Sequence, residues 1–434
     1  MKALKTAELM ISADNFETRA AVLEDRKLVE IYIERADASS IVGNIYLGRV
    51  KDILPGMQAA FIDIGIERTA FLYVGEIVYP KEEVEQPAPP IQYLLKQGQD
   101  ILVQVIKEPM NAKGARVTTE ITIPGRYLVL LPFSEFVGIS RRLDEEERSR
   151  LKEIADRVKP KGMGLIVRTA AAGVGEEDLR ADVRRLRALW SKIGRRARSS
   201  TPVRLIYSEP ELAIRIVRDL FSADYRRVVV DDARTFNRVK AYLEQTSPEL
   251  AGRVERYAER LPLFDKYNIN DEIEAALRRK VWLRSGGYIT IDATEALTAV
   301  DVNTGKFVGK ASLEETIFKT NLEAAEEVVR QLRLRDIGGI IVIDFIDMAR
   351  QSDQEKVFRA LNDALSRDRT KGRVIEISKL GLVEMTRKNV AQSLQEAMGE
   401  TCSCCGGIGR VISKESAAIQ VYRTIRKAAL LKPA

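Results

Sequence analysis

Histidine is absent from the 434-residue chain. Its absence excludes a Ser-His catalytic triad, a pair of histidine acid–base catalysts and histidine metal ligands. No apolar run approaches the roughly 18 residues that a membrane-spanning helix requires. The amino terminus, MKALKTAELMISAD, also lacks the long apolar segment of a secretory signal. We therefore expect a cytoplasmic protein without a membrane span.

Cysteine is almost as rare, and all three cysteines fall within the run TCSCCGG. The C-x-x-C spacing of Cys402 and Cys405, in a cytoplasmic protein, favours a metal site over a disulfide. A structural zinc site needs four ligands, and this chain has no histidine to complete the set. Two copies of the chain would supply four thiolates, so we predict one Zn²⁺ shared by a homodimer. Cys404 is an alternative ligand, and reduced thiols without metal remain an alternative interpretation.

Charge and hydrophobicity describe what the chain does contain. Hydrophobic residues make up 45% of it, which is typical of a globular protein, and its length allows several domains with ample cores. Lys and Arg number 70 against 63 Asp and Glu, a net charge of +7. This mild excess favours an acidic partner such as nucleic acid.

The segment from Gly286 to Met348 has the pattern of two strands joined by a helix. We expect Ser312 and Glu315 to form a capping box at the start of the helix. Gly338-Gly339 would end it, and the unbroken apolar run that follows is typical of a strand buried on both faces and ends on Asp344. The apolar stripe of this helix is predicted to consist of Leu313, Ile317, Ala324, Val328 and Leu332.

A strand, a helix and a second buried strand indicate a crossover between parallel neighbours. Asp301 and Asn303 are two residues apart, so their side chains share one face of the first strand. Asp301 and Asp344 would then lie near the carboxyl ends of adjacent strands, where open sheets place their sites. Two carboxylates beside a carboxamide suit Mg²⁺, and a carboxylate–metal site can hydrolyse a phosphodiester without histidine. Alternatively, Asp344 begins a turn and Asp301 caps a loop.

Residues 41–120 contain five short strands separated by turns, which predicts a small barrel of the OB type, a common platform for single-stranded nucleic acid. Alternation places Phe61 and Phe71 opposite the apolar faces of their strands. These rings could stack on bases or could belong to the core. The apolar faces are predicted to be Ala60, Ile62 and Ile64 in one strand and Ala70, Leu72 and Val74 in the next.

Residues 8–35 form a three-stranded meander that cannot bury a core alone, so it must complete a sheet supplied by later sequence. RRVVVDD, residues 226–232, is the candidate continuation. Asp231 and Asp232 could form a second metal site, but a strand end that caps the next helix is the favoured interpretation.

The remaining segments give coarser predictions. PGRYLVLLP, from Pro124, should be one strand, and residues 248–283 should be helical with an interruption at Pro262. After Met348 we expect a second capping box at Ser352 and Glu355. The strand GRVIEISKL and a helix from about Leu382 should follow. Arg168-Thr169, at a predicted strand end, could grip a phosphate monoester.

The Asp-Val-Asn of residues 301–303, the run QLRLRDIGGIIVIDFIDM and the cysteine pair resemble the ribonuclease E/G family of bacterial and plastid endoribonucleases. The resemblance covers nearly the whole chain. It implies an α/β multidomain fold, in which an RNase H-like subdomain is split by an OB-fold RNA-binding barrel and a 5′-phosphate sensor. A DNase I-like catalytic subdomain and a zinc-link would follow. The implied order is the first RNase H-like segment (1–40), barrel (41–120), sensor (121–205), second RNase H-like segment (206–279), DNase I-like subdomain (280–398), zinc-link (399–410) and helical tail (411–434).

The resemblance also assigns roles to residues. Asp301 and Asp344 would hold Mg²⁺ while Asn303 orients the scissile phosphate, and Cys402 with Cys405 would form the shared zinc site. Where the family usually has a proline and another residue between these ligands, this chain has Ser403 and Cys404. The RNA-contacting positions would be Phe61, Phe71 and Lys113, and the residues sensing a 5′-monophosphate would be Gly125, Val129, Arg168, Thr169 and Lys371.

This sequence departs from the family's pattern in two further places. Lys371 stands where the family carries arginine, and lysine lacks the bidentate fork, so weaker selectivity for the 5′ end is expected. After Arg410 only a short helical tail remains, whereas the family has a further domain that pairs dimers into tetramers. We therefore expect a homodimer.

The combined prediction is a Mg²⁺-dependent endoribonuclease that cleaves single-stranded RNA, is stimulated by 5′-monophosphate ends, and leaves 5′-phosphate and 3′-hydroxyl ends. It would act in rRNA and tRNA processing and in mRNA decay. One alternative is a non-catalytic RNA-binding scaffold dimerised by zinc. Another is a DNase or other phosphoesterase built on the same α/β layer.

Overall fold

The computed structural model describes residues 7–37, 40–79, 89–109, 113–305, 313–378, 381–388, 392–407 and 409–431. The chain divides into two compact units, Met1–Glu272 and Ile273–Ala434. Both units mix helices with sheets, which confirms the α/β class. Within the described ranges, none of the helices combines the length and the apolar character needed to cross a membrane.

The first unit contains three sheets and their helices. Its strands are β1 (Ala7–Ala13), β2 (Glu17–Glu24), β3 (Lys27–Arg35), β4 (Ile45–Leu54), β5 (Ala59–Asp63), β6 (Ala70–Tyr73), β7 (Asp100–Lys107), β8 (Arg116–Thr118), β9 (Ile123–Pro124), β10 (Leu128–Leu131), β11 (Val137–Ile139), β12 (Gly164–Val167), β13 (Arg204–Tyr207), β14 (Tyr225–Val230) and β15 (Val254–Arg256). Its helices are α1 (Ile91–Leu94), α2 (Glu145–Val158), α3 (Glu176–Ser199), α4 (Leu212–Asp219), α5 (Ala233–Thr246), α6 (Pro248–Ala251) and α7 (Leu263–Lys266), and α8 (Ile269–Leu277) spans the boundary between the units.

The amino-terminal meander is completed by distant sequence, as predicted. The five-stranded sheet has the order β15-β14-β1-β2-β3, and β1 pairs in parallel with β14. Leu9 and Ile11 of β1 and Val228 and Val230 of β14 are buried in one core with residues of α4 and α5. The segment 8–35 therefore gains its core from residues more than 200 positions later in the chain.

The second sheet closes into a barrel. Strands β4, β5, β6, β8 and β7 follow one another, and β4 also pairs with β7. All five strands predicted between residues 41 and 120 are present. The predicted apolar faces are also confirmed, because all six of their residues lie in the barrel core: Ala60, Ile62, Ile64, Ala70, Leu72 and Val74.

A four-stranded sheet of order β11-β12-β10-β9 carries α2 and α3. The single strand predicted from Pro124 is confirmed over Leu128–Leu131, which is β10, but is wrong at its start, because Pro124 belongs to the separate antiparallel strand β9. The amide of Gly125 donates to the carbonyl of Leu128 at 2.7 Å, which closes the turn between them.

The prediction of helix over residues 248–283 is also wrong in part. Val254–Arg256 forms β15, which pairs in parallel with β14 at the edge of the first sheet. Lys280–Trp282 is a strand of the second unit. Both strands have only three residues, so pairing with a longer neighbour outweighs their local helical pattern.

The second unit is a six-stranded sheet with helices. Its strands are β16 (Lys280–Trp282), β17 (Tyr288–Ala293), β18 (Leu297–Asn303), β19 (Gly339–Asp344), β20 (Gly372–Ile377) and β21 (Val383–Arg387). Its helices are α9 (Leu313–Leu334), α10 (Gln351–Leu365), α11 (Leu394–Met398) and α12 (Lys414–Leu431).

The sheet order is β16-β17-β18-β19-β21-β20, and β18 runs parallel to β19. The predicted crossover, from β18 through α9 to β19, is therefore confirmed. One face of the sheet packs against α9 and α10 in a single core, to which Val300, Ile341 and Ile343 belong.

The opposite face of this sheet is exposed at β19, although Thr290 of β17 is buried on it, and this corrects the prediction that residues 340–343 are buried on both sides. Ile341 and Ile343 are buried, but Ile340 is 52% exposed. Leu313, expected in the apolar stripe of the helix, is 74% exposed, whereas Ala324, Val328 and Leu332 are buried as predicted.

Helix ends in this unit also differ from prediction. α9 ends at Leu334, before the predicted glycines, and Asp336 takes the left-handed conformation just after it, with φ 47°. The predicted cap residue Ser312 lies outside the described residues. α10 begins at Gln351, so Ser352 is already inside the first turn and no capping box forms. The helix predicted from Leu382 is strand β21, inserted between β19 and β20.

Candidate active site

Asp301 and Asp344 are register partners across the parallel strands β18 and β19. Partners in neighbouring strands are about 4.8 Å apart and point to the same face of the sheet. Both side chains are exposed. Asn303, one alternation further along β18, donates from Nδ2 to Oδ2 of Asp301 at 2.7 Å. The structure therefore brings together the three side chains that the sequence predicted.

These residues line one cavity of about 320 Å³ at the carboxyl end of the two strands. Asp347, three positions after Asp344, contributes a further exposed carboxylate to its lining. Asp347 was not among the predicted site residues, although its position in the run DFIDM could have indicated a role.

The loop after β19 is fixed by a buried asparagine that the sequence did not single out. Asn321 of α9 is fully buried. Its Nδ2 donates to the carbonyl of Ile346 at 2.8 Å, and its Oδ1 accepts from the amide of Ile346 at 3.1 Å. This double hydrogen bond holds the backbone between Asp344 and Asp347.

The chemistry of this donor set fits a hard divalent cation. Among the residues that the structure describes, the side chains of Asp344 and Asp347 make no hydrogen bond or ion pair. Like charges at partner positions of a sheet repel each other, and a bound cation would relieve that repulsion. No group of three or more acidic, cysteine or histidine side chains in the described ranges has metal-binding geometry. An ion held by two carboxylates must therefore keep several waters, as Mg²⁺ does.

The two predicted stacking residues lie outside the barrel core. Phe61 and Phe71 are register partners in β5 and β6. Their rings pack edge to face, with 6.2 Å between the centroids and 67° between the planes. Both are half-buried, so each ring has an accessible portion. Lys113 is exposed and follows a gap in the described residues.

The predicted 5′-sensing residues of the first unit are partly assembled. Arg168 donates from one guanidinium nitrogen to the carbonyl of Gly125 at 2.7 Å. Thr169 is exposed, and its hydroxyl lies 2.8 Å from that of Ser140. Val129 is half-buried on β10, opposite Ile166 of β12. Lys371 belongs to the second unit, where it is exposed just before β20, and its role stays a prediction.

Gly125 lies in a tight backbone environment. A Cβ atom there would come within 2.7 Å of Asp182 Oδ2 and 3.0 Å of the carbonyl of Leu128. Asp182 is buried and accepts hydrogen bonds from the amides of Tyr127 and Leu128. This position therefore requires glycine.

The cysteines lie in or beside a turn, and the thiols of Cys402 and Cys405 are hydrogen-bonded to each other. Cys402 and Cys404 are exposed, and Cys405 is half-buried. Hydrogen bonds from the amide of Cys405, then from the amide of Cys404 and the thiol of Cys405, lower the pKa of Cys402. A lowered pKa favours the thiolate, which is the form that binds metal.

Asp231 and Asp232, considered as an alternative metal site, each accept a hydrogen bond from a backbone amide. Asp232 caps α5 by accepting from the amide of Thr235 at 2.7 Å, and this bond is the largest cause of its lowered pKa. Asp231 accepts from the amide of Ala13. The favoured interpretation, a strand end that caps the next helix, is confirmed.

Comparison with known proteins gives consistent matches. The model of the Ribonuclease E/G family matches residues 122–390. Ribonuclease G of Escherichia coli K12 is 44% identical over 427 residues, which cover 97% of this chain and 87% of that protein. Ribonuclease G of Haemophilus influenzae is 43% identical over 429 residues, with the same coverage. Ribonuclease E of a Nostoc species is 42% identical over 398 residues, or 91% of this chain and 57% of that protein.

Proposed function

We propose that this chain, which belongs to the ribonuclease E/G family and is an endoribonuclease of RNA processing, is a Mg²⁺-dependent hydrolase of single-stranded RNA. The observation that carries the proposal is the pairing of Asp301 with Asp344 at the end of two parallel strands. Two carboxylates at partner positions repel each other and a polyanionic substrate, and a cation bound between them would relieve both repulsions.

Asp301 and Asp344 would hold the metal, and Asp347, which lines the same cavity, would bind one of its waters. Bound Mg²⁺ would supply positive charge to the phosphate and lower the pKa of a water molecule. The Asn303 carboxamide has two N–H donors, one of which is used by Asp301. Its second donor is left to orient an oxygen of the scissile phosphate. Attack by water would leave 5′-phosphate and 3′-hydroxyl ends.

Substrate recognition is proposed to involve the first unit. Phe61 and Phe71 would stack on bases of a single strand, with Lys113 near its backbone. Arg168 and Thr169 would bind a 5′-monophosphate, beside Gly125 and Val129, and Lys371 would add a further positive charge. RNA with a 5′-monophosphate would therefore be cleaved faster than RNA with a 5′-hydroxyl.

Assembly and cellular role complete the proposal. Cys402 and Cys405 of two protomers would share one Zn²⁺, which makes the enzyme a homodimer. The C-x-x-C spacing and the lowered pKa of Cys402 support this assignment. The enzyme would act in the cytoplasm on precursors of rRNA and tRNA and on mRNA.

Asp344→Asn tests the catalytic assignment, because it keeps the size of the side chain and removes its charge. Loss of several kcal/mol of transition-state stabilisation should lower cleavage of a fluorescent single-stranded RNA by at least about 100-fold. Asp353→Asn in α10 is a matched control, since its carboxylate pairs with Lys356 away from the cavity. Unchanged cleavage by Asp344→Asn would refute the assignment. Equal cleavage of a DNA version of the oligomer would instead indicate a broader phosphoesterase.

A further inference from the structure

The face of the second unit's sheet that carries the catalytic acids continues beyond them in an ordered row, in which Thr290 is buried and the other side chains are exposed. Register places Thr290 of β17 beside Asp301, and Lys280 of β16 beside Thr290. With Asp344 on the other side, four strands contribute one side chain each to this row. Lys280 is exposed and lies at its far end, two strands from Asp301.

A second row lies one alternation away on the same face. Trp282 of β16 pairs with Tyr288 of β17, and Tyr288 pairs with Asn303 of β18. At the usual strand spacing, Trp282 is about 10 Å from Asn303. The two aromatic residues therefore lie beside the residue proposed to orient the phosphate.

These side chains form a compact aromatic and cationic cluster. The rings of Trp282 and Tyr288 pack edge to face, with 5.5 Å between their centroids and 66° between their planes. The Lys280 ammonium is 4.0 Å from the Trp282 ring and 3.4 Å from the Tyr288 ring. A cation held over aromatic rings beside a phosphate site is the combination that single-stranded nucleic-acid sites use.

The exposure of Trp282 distinguishes this cluster from ordinary packing. The chain has two tryptophans, and Trp190 is half-buried against Phe133. Trp282 leaves 60% of its surface exposed. A cross-strand aromatic pair stabilises a hairpin, but stabilisation alone gives no reason to leave most of an indole in water next to a catalytic cavity.

We propose that Trp282, supported by Tyr288 and Lys280, is a stacking subsite for the base of a nucleotide that flanks the scissile phosphate. This inference rests on the proposed function and adds a binding site within the catalytic unit. Stacking uses the π face that every base has, so the subsite would hold the strand in place without selecting its sequence. Lys280 would contribute its charge to a neighbouring backbone phosphate.

Tryptophan fluorescence tests the contact directly. In the variant Trp190→Phe with Asp344→Asn, Trp282 is the remaining fluorophore of its kind and the bound RNA stays intact. Titration with a 3′-labelled single-stranded RNA should quench this emission in parallel with the anisotropy of the label. Saturated anisotropy without any change in tryptophan emission would overturn the inference.

Cleavage kinetics give a second, independent readout. Trp282→Ala should raise KM for single-stranded RNA by roughly 5- to 100-fold, because stacking on one base is worth this much in affinity. Trp282→Phe keeps a ring in the hairpin and should retain most of the affinity. Tyr422→Ala removes another exposed aromatic of the same unit, in α12, and should leave KM unchanged.

Substrates with one abasic nucleotide locate the contact. An abasic position flanking the cleaved bond should weaken binding by the unmodified chain, and the same position should have little further effect on Trp282→Ala. Equal penalties in both proteins would overturn the inference even if Trp282→Ala is less stable. If the unmodified chain cleaves RNA and Trp282→Ala matches it in KM, the subsite is refuted while the proposed function stands. If the unmodified chain cleaves no RNA, the proposed function itself fails.

Discussion

Arg168 and Asp219 form an ion pair of 2.6 Å within the proposed 5′-sensing region. Burial would raise the pKa of Asp219, but the hydrogen bonds and charges of Arg218 and Arg168 outweigh burial and lower it. The carboxyl is therefore ionised at neutral pH. A 5′-phosphate that binds Arg168 must share the guanidinium with this anion.

Asp219→Asn should therefore increase the preference for 5′-monophosphorylated RNA over 5′-hydroxyl RNA. Removing one partly screened repulsion is worth on the order of 1 kcal/mol, or about fivefold in the ratio of kcat/KM values. Arg218 keeps its ion pair with Glu209 at 2.9 Å, so the fold should survive. The measurement compares the two substrates on each variant, with Asp224→Asn as a nearby control. An unchanged or smaller ratio would contradict the prediction.

Substitution of the barrel aromatics should weaken RNA binding. Phe61→Ala and Phe71→Ala should each raise the Kd for single-stranded RNA by roughly 5- to 100-fold. The two rings touch each other, so the double variant should lose less than the sum of the two effects. Phe16→Ala, at an 80% exposed ring in the same unit, is the control. Equal Kd values for all three single variants would exclude the barrel aromatics as a stacking site.

Much of the fold could be predicted because a regular spacing of apolar residues indicates which face of a strand or helix is buried in the folded chain. Alternation identified the apolar residues of two neighbouring barrel strands, β5 and β6, with their ends. The helix between β18 and β19 followed from an apolar stripe, of which Ala324, Val328 and Leu332 are buried. Short segments were less predictable. Val254–Arg256 forms an edge strand of three residues, and β21 lies where the local pattern favours the start of a helix. Both gain their hydrogen bonds from distant strands, which a local pattern does not reveal.

The residues of the candidate site likewise include some that the sequence predicted and some that it did not. Asp301, Asn303 and Asp344 were predictable, because the crossover fixes which strand ends are adjacent. Asn321 was not, since an asparagine within a helix is more often on a polar face than buried. The ion pair of Arg168 with Asp219 joins residues far apart in the chain, and only tertiary structure brings them together. The exposure of Ile340 was not predictable, because an unbroken apolar run does not show that one face of a sheet is uncovered.

If the proposed zinc joins two protomers, its removal should separate them. With four thiolates from two chains, metal analysis should give half a zinc per chain, and native mass should give a dimer. Chelation, or Cys402→Ser with Cys405→Ser, should yield monomers without unfolding, because these side chains are exposed or half-buried. Cys404→Ser is the matched control and should keep both metal and dimer. A full zinc per monomer, or a dimer that survives chelation, would contradict a shared site.

Replacement of Asn321 should reduce catalysis more than its distance from the phosphate would suggest. Asn321→Ala leaves the amide and carbonyl of Ile346 without their partners, which costs about 1–3 kcal/mol of stability. It also releases the loop from Asp344 to Asp347, and small displacements of catalytic groups lower kcat by about 10- to 100-fold.

Asn362→Ala in α10 is the control. It removes a side-chain hydrogen bond to the carbonyl of Phe358 in an exposed position, and it should change neither stability nor kcat. Both kcat and Tm should be measured, with kcat determined well below Tm. A lower Tm with unchanged kcat would show that Asn321 stabilises the fold without positioning the acids.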